Sequence, residues 1–154
     1  MVAVLAAATV SRAAAASDIA ACADERVKTA MLPAPELAAA EAACGRVLAG
    51  GAAGMDRQKA AFFRGLMRFL QVVQGGMAQG VDKDGVPRYA PPTLAQLREA
   101  LADVETAAGL DGPIKGDALA LRVTISQVLG DSATAKKDID KAIAVSPRSA
   151  TPYV

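Results

Sequence analysis

The chain contains no histidine, which closes Ser-His-Asp and Cys-His catalysis and every His-containing metal site to it. Two carboxylate pairs, an acidic turn, a row of arginines and two cysteines are left to do chemistry. Asp103/Glu105 and Asp138/Asp140 are of the right type for acid–base work, but they recur at equivalent places of an internal repeat and read as solvated surface. Asp82-Lys83-Asp84-Gly85 contains part of a calcium-loop pattern. With Gly85 at the sharp turn, however, Gly80 stands where the first carboxylate belongs and Pro91 where a bidentate Glu is needed. The segment reads as a turn. No Gly-rich phosphate motif precedes a helix, and no basic-aromatic interleaving suits single-stranded nucleic acid. We therefore expect no catalytic residue, no cofactor, no metal ligand and no nucleic-acid partner.

The arginines are the sharpest local feature. Arg57, Arg64, Arg68 and Gln71 recur at i, i+7, i+11 and i+14, one narrow stripe on a helix that is otherwise apolar nearly all round. As a functional surface the stripe would hold an acidic peptide or carboxylate through forked hydrogen bonds. Its plainer reading is the solvated edge of a buried helix.

The cysteines flank Leu32-Pro33-Ala34-Pro35, a helix-breaking segment in which Pro35 suits the first turn of the following helix. Cys22 lies 11 residues before Pro33 and Cys44 lies 11 after it. In an antiparallel hairpin, equal distances from the turn bring two positions to one height. Ala20, Ala21 and Ala43 leave room for the close approach that a disulfide needs. Two readings stay open, a bridge or two buried thiols acting as small hydrophobes. The spacing excludes a CxxC redox or zinc pair.

Helices must position all of these groups. A chain of 154 residues makes one domain, and a composition 53% hydrophobic but 3% aromatic builds its core from Ala, Val and Leu. That favours closely packed helices over a β-sandwich, which leans on aromatic and β-branched strands. The net charge of +1 gives no global field to recruit nucleic acid or anionic lipid. Periodicity and stop signals predict helices over 18–31, 35–49, 56–73, 93–109, 116–129 and 132–145, with N-caps at Asp56 and Thr93. Residues 74–92, with four glycines and three prolines, are expected to form a non-helical insertion with a small hairpin at Asp82–Val86.

The apolar run Val2–Val10, followed by Ala13-Ala14-Ala15-Ala16-Ser17, reads as the h-region and cleavage site of a secretory signal, or a remnant of one, over 1–16; the plainer reading is an ordinary Ala-rich first helix. No stretch approaches the ~20 apolar residues of a membrane span. The expected domain is then 17–154, in a periplasmic or secreted setting.

Self-similarity is the strongest signal. At an offset of 35, Ala100, Asp103 and Ala107 coincide with Ala135, Asp138 and Ala142, while Val104, Glu105 and Leu110 meet Ile139, Asp140 and Val145. A period near 34 with a helical pair in each copy suits a solenoid. Residues 116–149 turn at Gly130 and then carry Ala135, Ile139, Ala142-Ile143 and Pro147, and in this the chain resembles the tetratricopeptide repeat family. An earlier copy begins near Gln58, with Gly65 at the small-residue position, and closes at Ala107-Ala108. Ala40, Cys44 and Val47-Leu48 look like the second helix of a still earlier unit. The resemblance covers about 120 residues. The chain departs from the family in the insertion and at Val123 and Ser126, which replace the usual small and aromatic residues.

The resemblance implies an all-α stack of antiparallel helix hairpins that binds a protein or peptide and catalyses nothing. It places ligands in a groove lined by the first helices, here Lys59, Phe62, Leu66 and Phe69, then Asp117, Thr124 and Gln127; Arg64 and Arg68 join them as candidate contacts. The alternative is a small-molecule carrier or accessory domain with a pocket between the 74–92 loop and helix 56–73. Tyr153 falls where the next first helix would carry a bulky residue. The repeat is thus expected either to be cut short or to leave an apolar face for a partner, including a second copy of the chain.

Overall fold

The computed structural model describes residues 12, 14–29, 32–75 and 79–145. Most of the leader-like segment, Pro147 and Tyr153 lie outside them. The described residues are all-α: α1 (14–22), α2 (Arg26–Thr29), α3 (Ala34–Ala49), α4 (Gly54–Gly75), α5 (Pro91–Gly109), α6 (Lys115–Val128) and α7 (Ser132–Val145). From α3 onward each helix packs chiefly on its neighbours in sequence, and α4 also touches α6 directly.

The first expected helix, 18–31, is broken. The Asp24 carboxylate accepts the Arg26 backbone N–H at 3.0 Å and is also gripped by the Arg26 guanidinium. An aspartate in that position starts a helix rather than continuing one, so the chain bends after Cys22 and restarts as the short α2. Pro33 then caps α3, with Pro35 in its first turn, as expected. Two other boundaries move outward. Pro91 and Pro92 fill the first turn of α5 behind Ala90, where a missing N–H costs no intrahelical bond. Thr93 is therefore an interior residue and not the cap. Asp56 sits in the first turn of α4, which begins at Gly54.

The insertion is shorter than 74–92, since α4 runs to Gly75 and α5 starts at Pro91. Its described part is the small hairpin. Val81 bridges Pro87, Gly85 takes a φ of +79°, and Asp82 accepts the N–H groups of Asp84 and Val86, both at 2.9 Å. These bonds, the Val86 one first, hold the Asp82 carboxyl below its ordinary value of 3.8. A lowered folded value stabilises the turn above that pH, and the stabilisation is lost as pH falls through the folded value. Protection of the Asp84 and Val86 amides, measured against their intrinsic exchange rates at each pH, should thus hold down to about pH 4 and fall in stronger acid; protection that does not change with pH would contradict the turn. The hairpin leans on the α6–α7 turn, because a Cβ at Gly130 would lie 2.6 Å from Val86 Cγ1.

Alanine makes the stack thin. Ala40, Ala43, Ala60, Ala61, Ala100, Ala107, Ala118, Ala135 and Ala142 are all buried at helix contacts, around fully enclosed Leu37, Phe63, Met67, Leu97, Val104 and Ile125. α4 and α5 approach closely at Gly65, where a Cβ would stand 2.6 Å from Val104 Cγ2 and 3.0 Å from the Ala100 carbonyl oxygen.

Cys22 and Cys44 form a disulfide with Cα atoms 4.7 Å apart, pinning α1 to α3. Beside it the Arg46 guanidinium donates to the Asp18 carboxylate at 2.7 and 3.1 Å. Closing a loop of 22 residues stabilises the fold by about 3 kcal/mol through the unfolded chain. Cys22→Ser/Cys44→Ser should lower Tm by roughly 6–12 °C. Unreduced, denatured protein should titrate no thiol; two free thiols would refute the bridge.

Candidate functional site

The arginine stripe is turned inward on its neighbours. Arg64 donates two hydrogen bonds to Asp103 of α5, at 2.9 and 2.6 Å. Arg68 donates to Glu41 of α3 at 2.8 Å and to Asp103 at 3.0 Å, while the Gln71 amide donates to Glu41 at 3.0 Å. Arg57 is exposed. Neither sequence reading of the stripe fits Arg64 and Arg68, which clamp α4 to both flanking helices. Nor is Asp103 solvated: its side chain is 9% exposed.

The second carboxylate pair repeats this. Asp138 of α7 is fully buried and receives a forked pair of hydrogen bonds from Arg122 of α6. That bonding raises the Arg122 guanidinium above its ordinary value against the opposing effect of burial. Asp103 and Asp138 are 35 residues apart and Arg64 and Arg122 are 58 apart; the insertion and the greater lengths of α4 and α5 together supply the difference. In both hairpins an arginine of the first helix clasps an aspartate of the second.

Among the open hollows of the described residues, one is a groove between α4 and α6. It encloses about 320 Å³ and is lined by Val27, Lys28, Phe62, Leu66, Phe69, Leu70, Asp117, Leu121 and Thr124. The helical period puts Phe62, Leu66 and Phe69 on one side of α4, and Asp117, Leu121 and Thr124 on one side of α6. The floor is apolar. The Thr124 hydroxyl is spent on the Ala120 carbonyl of its own helix, at 3.3 Å.

At one end, Lys28 of α2 reaches Asp117 at 3.3 Å and Glu25 at 3.1 Å. Burial works to lower the Lys28 ammonium, but the hydrogen bond it donates to Glu25 and the charge of Asp117 hold it above its ordinary value.

Of the residues expected to line a groove, the structure brings Phe62, Leu66, Phe69, Asp117 and Thr124 together. Lys59 is half-buried and Gln127 exposed, both outside the lining. Val27 and Lys28 were not anticipated, because a straight helix 18–31 would carry them past α4. The signal for them was Asp24-Glu25, an acidic start ahead of Arg26. The described insertion residues do not line this groove; Val86 meets Gly130 and Tyr89 packs against the core.

The chain matches no known protein family, no curated protein and no solved structure. None of its described helices is long and apolar enough to cross a membrane.

Proposed function

We propose that this chain is a non-catalytic interaction module of tetratricopeptide type that holds a peptide segment of another protein in the α4–α6 groove. The observation that carries the reading is the convergence of Phe62, Leu66, Phe69, Leu121 and Asp117 on one open, apolar-floored groove between the first helices of two hairpins. The recurring Arg–Asp clasp supports a repeated unit, although α1, α2 and α3 do not complete a third. Its place is the cell envelope. The Cys22–Cys44 bridge supports this, since such bonds persist where the surroundings are oxidising.

Immobilised protein should retain a discrete partner from envelope extract, and Leu66→Glu, which places a charge on the groove floor without touching a clasp, should lose it with helicity unchanged. Equal retention by both would overturn the reading. A metabolite that raises Tm, with no partner retained, would favour the carrier alternative. A second copy of the chain is a further occupant to consider through α7, where Ile143 and Val145 are each 48% exposed; light scattering reads it directly.

A further inference from the structure

Lys28 occupies a site whose other members belong to different helices. Its ammonium lies 5.5 Å from the Phe62 ring centroid and 5.4 Å from that of Phe63. The two rings meet edge to face, with centroids 5.3 Å apart at 84°. Carboxylate oxygens of Asp117 and Glu25 stand at 3.3 and 3.1 Å. Aromatic faces flanked by carboxylates form a receptor for an ammonium or a guanidinium. Phe62, Phe63 and Asp117 are fixed on α4 and α6, the two long helices of the groove.

The occupant reaches the seat only through its own long side chain. Lys28 extends a flexible four-carbon stem from a helix of four residues, and its side chain is 30% exposed. Val27, 4% exposed, anchors α2 independently. Rotation of the Lys28 side chain alone would vacate the seat while Val27 keeps α2 in place.

We propose that this seat is a cation-binding site for a lysine or arginine side chain of the bound peptide, with Lys28 as its built-in, displaceable occupant. The proposal rests on the groove reading above and adds the sign of the ligand's charge. With Lys28 swung out, the lining is apolar apart from Thr124 and the Asp117 carboxylate. An acidic ligand would leave that carboxylate uncompensated, whereas a cationic one restores what Lys28 supplied. Arginine fits better than lysine, because its planar fork pairs with a carboxylate and stacks on a ring.

The test uses the full chain with n-butylguanidinium, n-butylammonium and neutral pentanamide as probes, read by NMR shifts of the Phe62 and Phe63 ring protons. Lys28→Gln empties the seat and should tighten n-butylguanidinium binding about tenfold over wild type, since the competing occupant is gone. n-Butylammonium should follow more weakly, and Asp117→Asn in the same background should abolish the gain. Lys28→Arg, a stronger plug, should bind the charged probes less well than wild type, and it decides the matter should Lys28→Gln fail to fold. If pentanamide shifts Leu66 and Phe69 while the charged probes show no preference, the seat is refuted and the groove stands. If no probe shifts any of these residues, both fall.

Discussion

Asp138→Ala is expected to destabilise the fold by about 3–5 kcal/mol, the usual cost of stranding one partner of a buried ion pair. Asp138 is fully buried and accepts both of its bonds from Arg122, whose side chain is 18% exposed. Removing the carboxylate leaves a guanidinium that must either stay desolvated or pull away from the α6–α7 contact. Tm should fall by roughly 10–15 °C. The double variant Arg122→Met/Asp138→Leu removes both charges and fills their space, so it should come within about 1 kcal/mol of wild type. Matching losses in the single and double variants would mean that the pair is not the source of the effect. Thermal and urea unfolding of the three proteins checks it.

Gly65→Leu should cost about 4 kcal/mol. Even a Cβ at this position would meet Val104 Cγ2 at 2.6 Å, the Ala100 carbonyl oxygen at 3.0 Å and Asp103 Cβ at 3.2 Å. Two of these belong to the α5 backbone or lie next to it, and cannot move aside as the end of a long side chain would. The helices must separate. Overpacking of this kind costs about 1–3 kcal/mol, and the separation also stretches the charged hydrogen bonds of Arg64 to Asp103, a loss of comparable size. Gly65→Ala is the milder case, because the better helix propensity of alanine returns about 1 kcal/mol. Urea midpoints should rank wild type, then Gly65→Ala, then Gly65→Leu. A neutral Gly65→Leu would contradict the close approach.

The sequence placed the later helices well and the first one badly, for physical reasons. α6 and α7 are bounded by a glycine turn at Gly130, which takes a φ of +80°, and their starts and ends fall within a residue of expectation. The helix at 18–31 failed because one side chain, Asp24, diverts the backbone, and periodicity averages over single residues. Pro91-Pro92 misled in the other direction: proline ends a helix from inside but opens one from its first turn.

The groove floor followed from helical spacing together with the family resemblance. The arginines and aspartates did not. Asp103-Val104-Glu105 and Asp138-Ile139-Asp140 look like solvated turns of a helix, yet the first aspartate of each is buried while Glu105 and Asp140 are exposed. Their partners lie 39 and 16 residues away, beyond the reach of any local pattern. A trace was present: Asp103 and Asp138 coincide at the 35-residue offset of the repeat, and the first helix of each copy carries at least one arginine. For Lys28 the trace was weaker, only the acidic start Asp24-Glu25, because its role depends on the bend at Asp24.

Photo-crosslinking in intact cells tests the central claim most directly. With a photoreactive side chain at Leu66 in the groove, and in a separate protein at exposed Thr106 on α5, the account predicts one discrete adduct from position 66 and none from 106. Adducts of equal yield from both positions, or an adduct from 106 alone, would contradict it.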